Sequence, residues 1–89
     1  MASELHVELV AVERKVFEGE VIELLARTTE GDLGILPNHT ELLGQLAEQG
    51  EVTLRFADGT SNVYNVDGGF ISVTKDGVTV LAESATPVA

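Results

Sequence analysis

Cysteine and tryptophan are absent from this 89-residue chain, and basic residues are scarce. Without cysteine the chain can form no disulfide, no thiolate metal site and no cysteine nucleophile. There are 5 Lys and Arg against 15 Asp and Glu, so the formal net charge is −10. Nucleic acid is therefore an improbable partner, because such binding rests on basic side chains that neutralise phosphates, and an anionic membrane surface is equally improbable. The charge permits a basic protein partner, although solubility alone would also account for it.

Long apolar runs are missing too. None approaches the roughly 20 residues that span a bilayer, and the first residues lack the basic and apolar regions of a signal peptide. The hydrophobic content is nevertheless 44%, which is typical of a folded chain rather than a disordered one. Eighty-nine residues correspond to one domain with a modest core, since a domain of this size hides only about 60% of its unfolded surface.

Short alternating segments separated by turns predict an all-β domain. Residues 5–9 and 52–56 alternate between apolar and polar side chains, as half-buried strands do. Asp58-Gly59 is a strong hairpin signal. Further strands are predicted on both sides of a second turn at residues 75–77, and the even spacing of the turns predicts an antiparallel sandwich or barrel.

Two segments are less clear from the pattern. Gly19 separates two strand-like runs and is interpreted as a turn. In residues 40–50, Leu42, Leu43, Leu46 and Ala47 fall at helical spacing, which is compatible with a short helix. Gly44 weakens that interpretation, so helix and strand both stay open on the pattern alone.

The motifs give little support to catalysis or to a metal site. Neither His6 nor His39 has a second histidine or a serine-centred elbow beside it. His6 lies on the polar side of the first strand, where we expect it to be solvated. Residues 30–32 offer two carboxylates but not the long ligand loop of a calcium site. Residues 67–69 are followed by no helix and no Lys-Ser/Thr pair, so they do not form a phosphate loop, and the two glycines instead let the chain pass closely between packed strands.

A binding or assembly module is the remaining class. Such a module needs apolar residues at outward positions that a partner can cover. The pattern leaves open whether the candidates form that surface or belong to the core; they are Leu33, Ile35, Leu36, Leu42, Leu43 and Leu46.

Residues 28–43, "TTEGDLGILPNHTELL", resemble the signature of the epsilon subunit of bacterial F-type ATP synthases. Three other segments resemble the same family in order and spacing: "LHVELVAVERKVFEGEV" near the start, then "VDGGFISV" and "VTVLAESA". The likeness extends from about residue 4 to residue 85. Many relatives have Gly where this chain has Asn38 and Pro where it has Glu41.

The resemblance implies a flattened antiparallel β-sandwich of about ten short strands over residues 1–85, with strands rather than a helix between 40 and 56. Residues 86–89 would be a short tail, and the C-terminal helical hairpin of the relatives would be absent. It also implies a central-stalk subunit that binds the gamma subunit and the polar loops of the c-ring, and so couples rotation to catalysis. Such a subunit does no chemistry, needs no cofactor or metal, and is peripheral at the cytoplasmic face of the bacterial cell membrane.

The resemblance further implies two sets of interface residues. The predicted c-ring interface consists of Glu30, Gly31, Asp32 and His39. The predicted gamma interface consists of Val10, Ala11, Val12, His39, Leu42, Leu43 and Gly44. Two other classes are alternatives. One is a free-standing β-sandwich that binds a small ligand or carbohydrate, which would usually display exposed aromatic residues. The other is a small hydrolase or isomerase, for which a convincing catalytic set is missing.

Overall fold

The structure, a computed structural model, describes residues 4–37 and 40–88, and these residues form β-strands and turns without a helix. The eight strands are β1 (Leu5–Ala11), β2 (Arg14–Val21), β3 (Glu23–Thr28), β4 (Gly31–Ile35), β5 (Leu42–Gln45), β6 (Gly50–Arg55), β7 (Ser61–Thr74) and β8 (Gly77–Pro87). The predicted all-β sandwich is confirmed. The described strands number eight rather than about ten, in part because residues 61–66 and 70–74 belong to one long strand.

Hydrogen bonds connect the strands in the order β2-β1-β8-β7-β6-β3-β4, and β5 pairs with β7 outside this path. The pairs are antiparallel apart from β1 and β8, which run parallel from Val7↔Val78 to Ala11↔Ala82. A parallel pair needs a long connection between its strands, and here the rest of the domain supplies it. Consequently the first and last strands lie side by side.

The β7–β8 hairpin joins the two layers of the sandwich. The first half of β7 pairs with β6, whereas its second half pairs with β5, and β8 follows both halves. The strand bends at Gly68 and Gly69, whose φ angles are 70° and 110°. A Cβ on Gly69 would clash with the carbonyl oxygen of Leu81. The prediction that glycine lets the chain pass closely beside a packed strand is therefore confirmed for Gly69, whereas Gly68 approaches the side chain of Glu83.

The core lies between the layers and is built from the inward residues of the alternating strands. Its largest fully buried side chains include Leu9, Leu24, Ile35, Leu54 and Ile71. Over residues 4–37 and 40–88 no polar or charged residue is buried. The interior therefore depends on apolar packing rather than on polar networks.

Gly19 is not a turn, contrary to its interpretation from the sequence. It lies within β2 opposite Val7. The ring of Phe17 lies over it, since a Cβ on Gly19 would be 3.0 Å from Phe17 Cζ. That ring also meets Phe56 edge to face, with the centroids 5.8 Å apart. Glycine at position 19 therefore makes room for an aromatic contact at the margin of the sandwich.

The segment from 40 to 50 contains the strand β5 and no helix. This agrees with the strands that the family resemblance implies, and not with the helix that the spacing of the leucines suggested. Gly44, the weak point of a helix, lies opposite Ile71 in the β5–β7 pair. At the other end of the chain, Thr86 and Pro87, placed in a tail by the sequence, belong to β8. The N–H of Val88 still donates to the Val63 carbonyl at 2.9 Å.

Candidate protein-binding surfaces

Three apolar side chains form a row on the outward side of β1, β8 and β7. Val10 pairs with Leu81, and Leu81 pairs with Phe70. Leu81 and Phe70 are 49% and 52% exposed, and Val10 is half-buried. Directly opposed residues in neighbouring strands have side chains within contact distance. The apolar row, Val10–Leu81–Phe70, is therefore continuous across three strands.

Two more apolar residues extend this surface. Leu43 on β5 lies opposite Ser72, on the same side of the sheet as Phe70. Val12 lies in the turn between β1 and β2. Both are 74% exposed. The apolar row together with Val12 and Leu43 is called the apolar face below, and a contiguous exposed surface of this kind typically marks a protein-binding site.

The predicted gamma-interface residues divide between the two sides of their strands. Val12 and Leu43 are exposed and Val10 is outward, but Ala11 is buried and Leu42 packs against the core. Gly44 lies opposite the buried Ile71 and is not outward either. Side chains alternate across a strand, so three consecutive residues cannot all face the same partner. Ala11, Leu42 and Gly44 therefore add little side-chain area to the outward surface, and their assignment to the gamma interface stays a prediction.

The sequence interpretation missed Phe70 and Leu81, which lie in the middle of the apolar face. A signal for them existed in the alternation. In the second half of β7 the buried residues are Ile71 and Val73, and in the first half of β8 they are Val78, Val80 and Ala82. Phe70 and Leu81 are out of phase with these, so they are apolar residues on a side that otherwise carries Ser72 and Thr79. Such residues are candidates for partner contact.

The sequence left open whether six apolar residues belong to the core or to the surface, and the structure divides them between the two. Ile35 and Leu46 are buried, and Leu33 and Leu42 pack against the core while remaining partly exposed. Leu36 and Leu43 are exposed. Only Leu43 of these six extends the apolar face.

A ladder of charged side chains borders the apolar row on β1 and β2. Lys15 Nζ donates to Glu18 Oε1 at 2.7 Å and lies 3.0 Å from Glu8 Oε2. His6 Nδ1 is 2.6 Å from Glu20 Oε2, and His6 Nε2 is 3.0 Å from Glu18 Oε2. This β1–β2 ladder is partly exposed, so His6 is not simply solvated as expected from the sequence.

Hydrogen bonds within the β1–β2 ladder shift three pKa values. Glu20, followed by Glu18, raises the pKa of His6. Glu18, followed by Glu8, raises the pKa of Lys15. Lys15, followed by His6, lowers the pKa of Glu18. Each shift favours the charged form of its group, so the ladder forms an ion-paired rim for the apolar row.

The predicted c-ring residues Glu30, Gly31 and Asp32 lie at the turn between β3 and β4 and at the start of β4; this segment is called the acidic β3–β4 turn. Thr28 Oγ1 donates to the Gly31 carbonyl at 2.8 Å and accepts from the Glu30 N–H at 3.2 Å, which closes the turn. Gly31 has a φ of 123°, where other residues would be strained. The carboxylates are exposed, so the segment is available to a partner.

Asp32 is not a free charge in this turn. Its Oδ1 accepts a hydrogen bond from Arg27 Nε at 2.6 Å, although both side chains are largely exposed. Arg27 and Asp32 are register partners in the β3–β4 hairpin, which accounts for the contact. The structure thus places Glu30, Gly31 and Asp32 together, whereas His39 lies outside the described residues.

The described residues were compared with what a metal site, a ligand groove and a membrane-spanning helix require. No three His, Asp or Glu side chains there could hold a metal ion together. Two open grooves have volumes of about 590 and 460 Å³. No described helix is long and apolar enough to cross a membrane.

Comparison with known families and sequences gives one consistent result. The family model for the beta-sandwich domain of the ATP synthase delta/epsilon chain matches residues 4–88. The ATP synthase epsilon chain of Streptomyces avermitilis is 53% identical over 85 residues, which cover 96% of this chain and 68% of the relative. The epsilon chain of Corynebacterium efficiens is 49% identical over 83 residues, covering 93% of this chain and 67% of the relative.

Solved structures share the fold. A chain of the Euglena gracilis mitochondrial ATP synthase, in an assembly described as OSCP/F1/c-ring, matches with a TM-score of 0.90 and 25% identity. That match covers 98% of this chain and 55% of the other. A chain from the central stalk and c-ring of the Tetrahymena thermophila mitochondrial ATP synthase matches with a TM-score of 0.74 and 18% identity over 91% of this chain and 64% of the other. This chain therefore spans between about half and two thirds of the length of these structural neighbours.

Proposed function

Because the chain belongs to the ATP synthase delta/epsilon beta-sandwich family, we propose that it acts as a central-stalk component of a proton-translocating F-type ATP synthase. In this role it binds the gamma subunit and the c-ring loops and transmits rotation without chemistry of its own. Two facts support the proposal. Bacterial relatives about half identical over the aligned residues are ATP synthase epsilon chains, and a neighbour with a TM-score of 0.90 belongs to an assembly with F1 and a c-ring.

The apolar face is the observation that carries the proposal. It consists of apolar side chains that lie beside one another in the sheet while open to solvent. The charged residues of the β1–β2 ladder lie at the border of the apolar face. An apolar centre with a polar rim is the usual arrangement of a protein interface. A small ligand would require a concave site instead. We assign this face to the gamma subunit.

The acidic β3–β4 turn is assigned to the c-ring loops. Glu30 and Asp32 present carboxylates that would attract a basic loop. An exposed ion pair contributes only about 0–1 kcal/mol, and Arg27 already offsets part of the charge of Asp32. The turn therefore serves orientation more than affinity. Through this contact the protein would lie at the cytoplasmic face of the membrane without touching lipid.

The carbohydrate-binding alternative is weaker because the aromatic residues are mostly engaged. The sequence has three Phe and one Tyr. Phe17 and Phe56 pack against each other, and Tyr64 is buried. Phe70 alone of the four is largely exposed, and it lies in a flat apolar row rather than beside a groove rich in hydrogen-bonding groups.

Binding to purified gamma subunit tests the proposal directly. We expect the wild-type chain to co-elute with gamma on a sizing column at micromolar concentration. Phe70→Asp should weaken the complex by more than about 30-fold, as loss of an interface hot spot of about 2 kcal/mol does. The matched control is Leu25→Asp, which changes an exposed leucine on β3, away from the apolar face.

The outcomes separate the alternatives. Leu25→Asp should bind gamma like the wild type, and circular dichroism should show that both variants are folded. Equal loss with the two substitutions would show that the apolar face is not the specific contact. Absence of any complex with the wild-type chain would reject the rotor assignment and favour a free-standing binding module.

A further inference from the structure

His6 is held between two carboxylates, one at each ring nitrogen. Nδ1 is 2.6 Å from Glu20 Oε2, and Nε2 is 3.0 Å from Glu18 Oε2. An ionised carboxylate only accepts hydrogen bonds, and a neutral imidazole carries a single N–H. Both contacts can be hydrogen bonds at once only if both nitrogens carry a proton. The geometry therefore assigns the imidazolium form to His6.

The two carboxylates, Glu18 and Glu20, lie on β2, a strand at the edge of the sheet. β2 is at the end of the strand order, where it pairs with β1. The register between these strands is interrupted between Leu9 and Val10. On the other edge β2 presents unpaired backbone groups, as edge strands do. Side-chain contacts across the β1–β2 pair are consequently important for holding β2 in place.

We propose that His6 is a protonation-dependent clasp that fastens edge strand β2 to β1. The protonated ring bridges Glu18 and Glu20, and loss of its second proton releases one of the two contacts. Lys15 continues the bridge to Glu8 and keeps its charge over the same pH range. The clasp does not depend on the proposed role in ATP synthase.

The sign of the pH dependence follows from the contacts. A histidine whose pKa is raised in the folded state stabilises the fold fully below its ordinary value of about 6.5. That contribution is lost as the pH rises through the folded-state pKa. Other charged groups near the ring line a groove with His6 and Glu20; they are Glu4, Glu41, Lys75 and Asp76. Glu18 and Glu20 remain the groups in direct contact with the ring.

A nuclear magnetic resonance titration of the full chain tests the protonation. The His6 ring signal is identified by its disappearance in His6→Gln. We expect its titration midpoint above the ordinary histidine value in the wild type, and a return towards that value in Glu18→Gln/Glu20→Gln. Glu51→Gln, which changes an exposed acid on β6, is the matched control and should leave the midpoint unchanged. A midpoint at or below the ordinary value, or one that the double substitution does not move, overturns the clasp.

Amide hydrogen exchange tests whether protonated His6 stabilises the pairing of β2 with β1. Wild type and His6→Gln are compared at the same pH, so that the intrinsic effect of pH on exchange cancels. Below the midpoint, β2 amides bonded to β1 should exchange about two- to fivefold more slowly in the wild type, as expected for exposed ion pairs. Above the midpoint the two proteins should agree, and β6 amides should agree throughout. Equal β2 exchange at every pH would show that His6 titrates without fastening the strand.

Discussion

The apolar face and the acidic β3–β4 turn differ in what they can contribute to binding. The face presents adjacent apolar side chains across β1, β8, β7 and β5. Burial of apolar surface contributes about 25 cal/mol per Å². The turn presents a few exposed charges, one of them already paired to Arg27, and each such charge contributes at most about 1 kcal/mol. In the proposed role, the face would therefore supply most of the affinity, whereas the turn would mainly set orientation.

The two surfaces belong to different layers of the sandwich. The face is on the layer that contains β1 and the second half of β7, and the turn is on the layer that contains β3 and β6. The bent β7–β8 hairpin is common to both layers. Their relative position therefore depends on the bend at Gly68 and Gly69.

The largest effect is expected from a substitution that removes this bend. Gly69→Ala should lower the free energy of unfolding by more than about 3 kcal/mol, because strain at positive φ is joined by a clash with the Leu81 carbonyl. Gly31→Ala is the control: φ is also strongly positive, but nothing lies within 4 Å of the added carbon. That change should cost about 1–2 kcal/mol. Urea unfolding followed by circular dichroism measures both, and equal costs would contradict a special role for the bend.

The next effect separates the centre of the apolar face from its margin. Leu81→Asp should weaken gamma binding more than about tenfold, because hot spots lie near the centre of an interface. Leu43→Asp, at the β5 end, should weaken it by only about two- to fivefold. Isothermal titration measures both affinities, and unfolding curves should match the wild type because both side chains are exposed. A larger effect at Leu43 would move the centre of the interface towards β5.

A smaller effect is expected at the acidic turn. Asp32→Lys should weaken attachment to the membrane ring several-fold while the isolated fold is retained, since an exposed charge contributes little to stability. Asp76→Lys makes the same change of charge in the β7–β8 turn and should leave attachment unchanged. Attachment is measured by co-sedimentation of the assembled rotor with membranes. If membrane-bound assembly and proton-coupled synthesis are unchanged in Asp32→Lys, the assigned ring contact is wrong.

The smallest effect on stability is expected at Asp58, whose carboxylate hydrogen-bonds within the turn in which it lies. Asp58 Oδ1 accepts from Thr60 Oγ1 at 2.6 Å and from the Thr60 N–H at 2.9 Å, and these bonds lower the pKa of Asp58. A lowered pKa gives stability that is present above the unfolded value of about 3.9 and lost as the pH falls through the folded value. Asp58→Asn should therefore be slightly less stable than the wild type at pH 6. The difference should shrink near pH 3 in urea unfolding, and a constant difference would contradict the linkage.

Prediction from the sequence succeeded where the signal was local. The Asp58-Gly59 hairpin and the turn before Gly77 are where the spacing of turn residues places them. It failed where the cause was a contact with a distant part of the chain. Gly19 looks like a turn in the sequence, but it lies within β2, where it pairs with Val7 of β1. Residues 42–45 have helical spacing, but pairing with β7 overrides that local preference.

The candidate site shows the same division. The acidic turn was proposed as a contact only through the family resemblance, and its three residues are adjacent in the sequence and in the structure. The apolar row was missed because Val10, Phe70 and Leu81 are far apart in the chain and meet only through strand register. The leucine pair is divided by the alternation, which turns Leu43 outward and Leu42 towards the core.

The sequence by itself determined the all-β class and the positions of several turns, because alternation and turn chemistry act over a few residues. Its ordered motifs also identified the family by resemblance. Only the tertiary structure decided that β1 lies parallel to β8, that β7 bends to serve both layers, and that Phe70 and Leu81 align with Val10. These features depend on the register between strands distant in sequence. That register is set by the whole sheet closing around its core, and no short segment contains it.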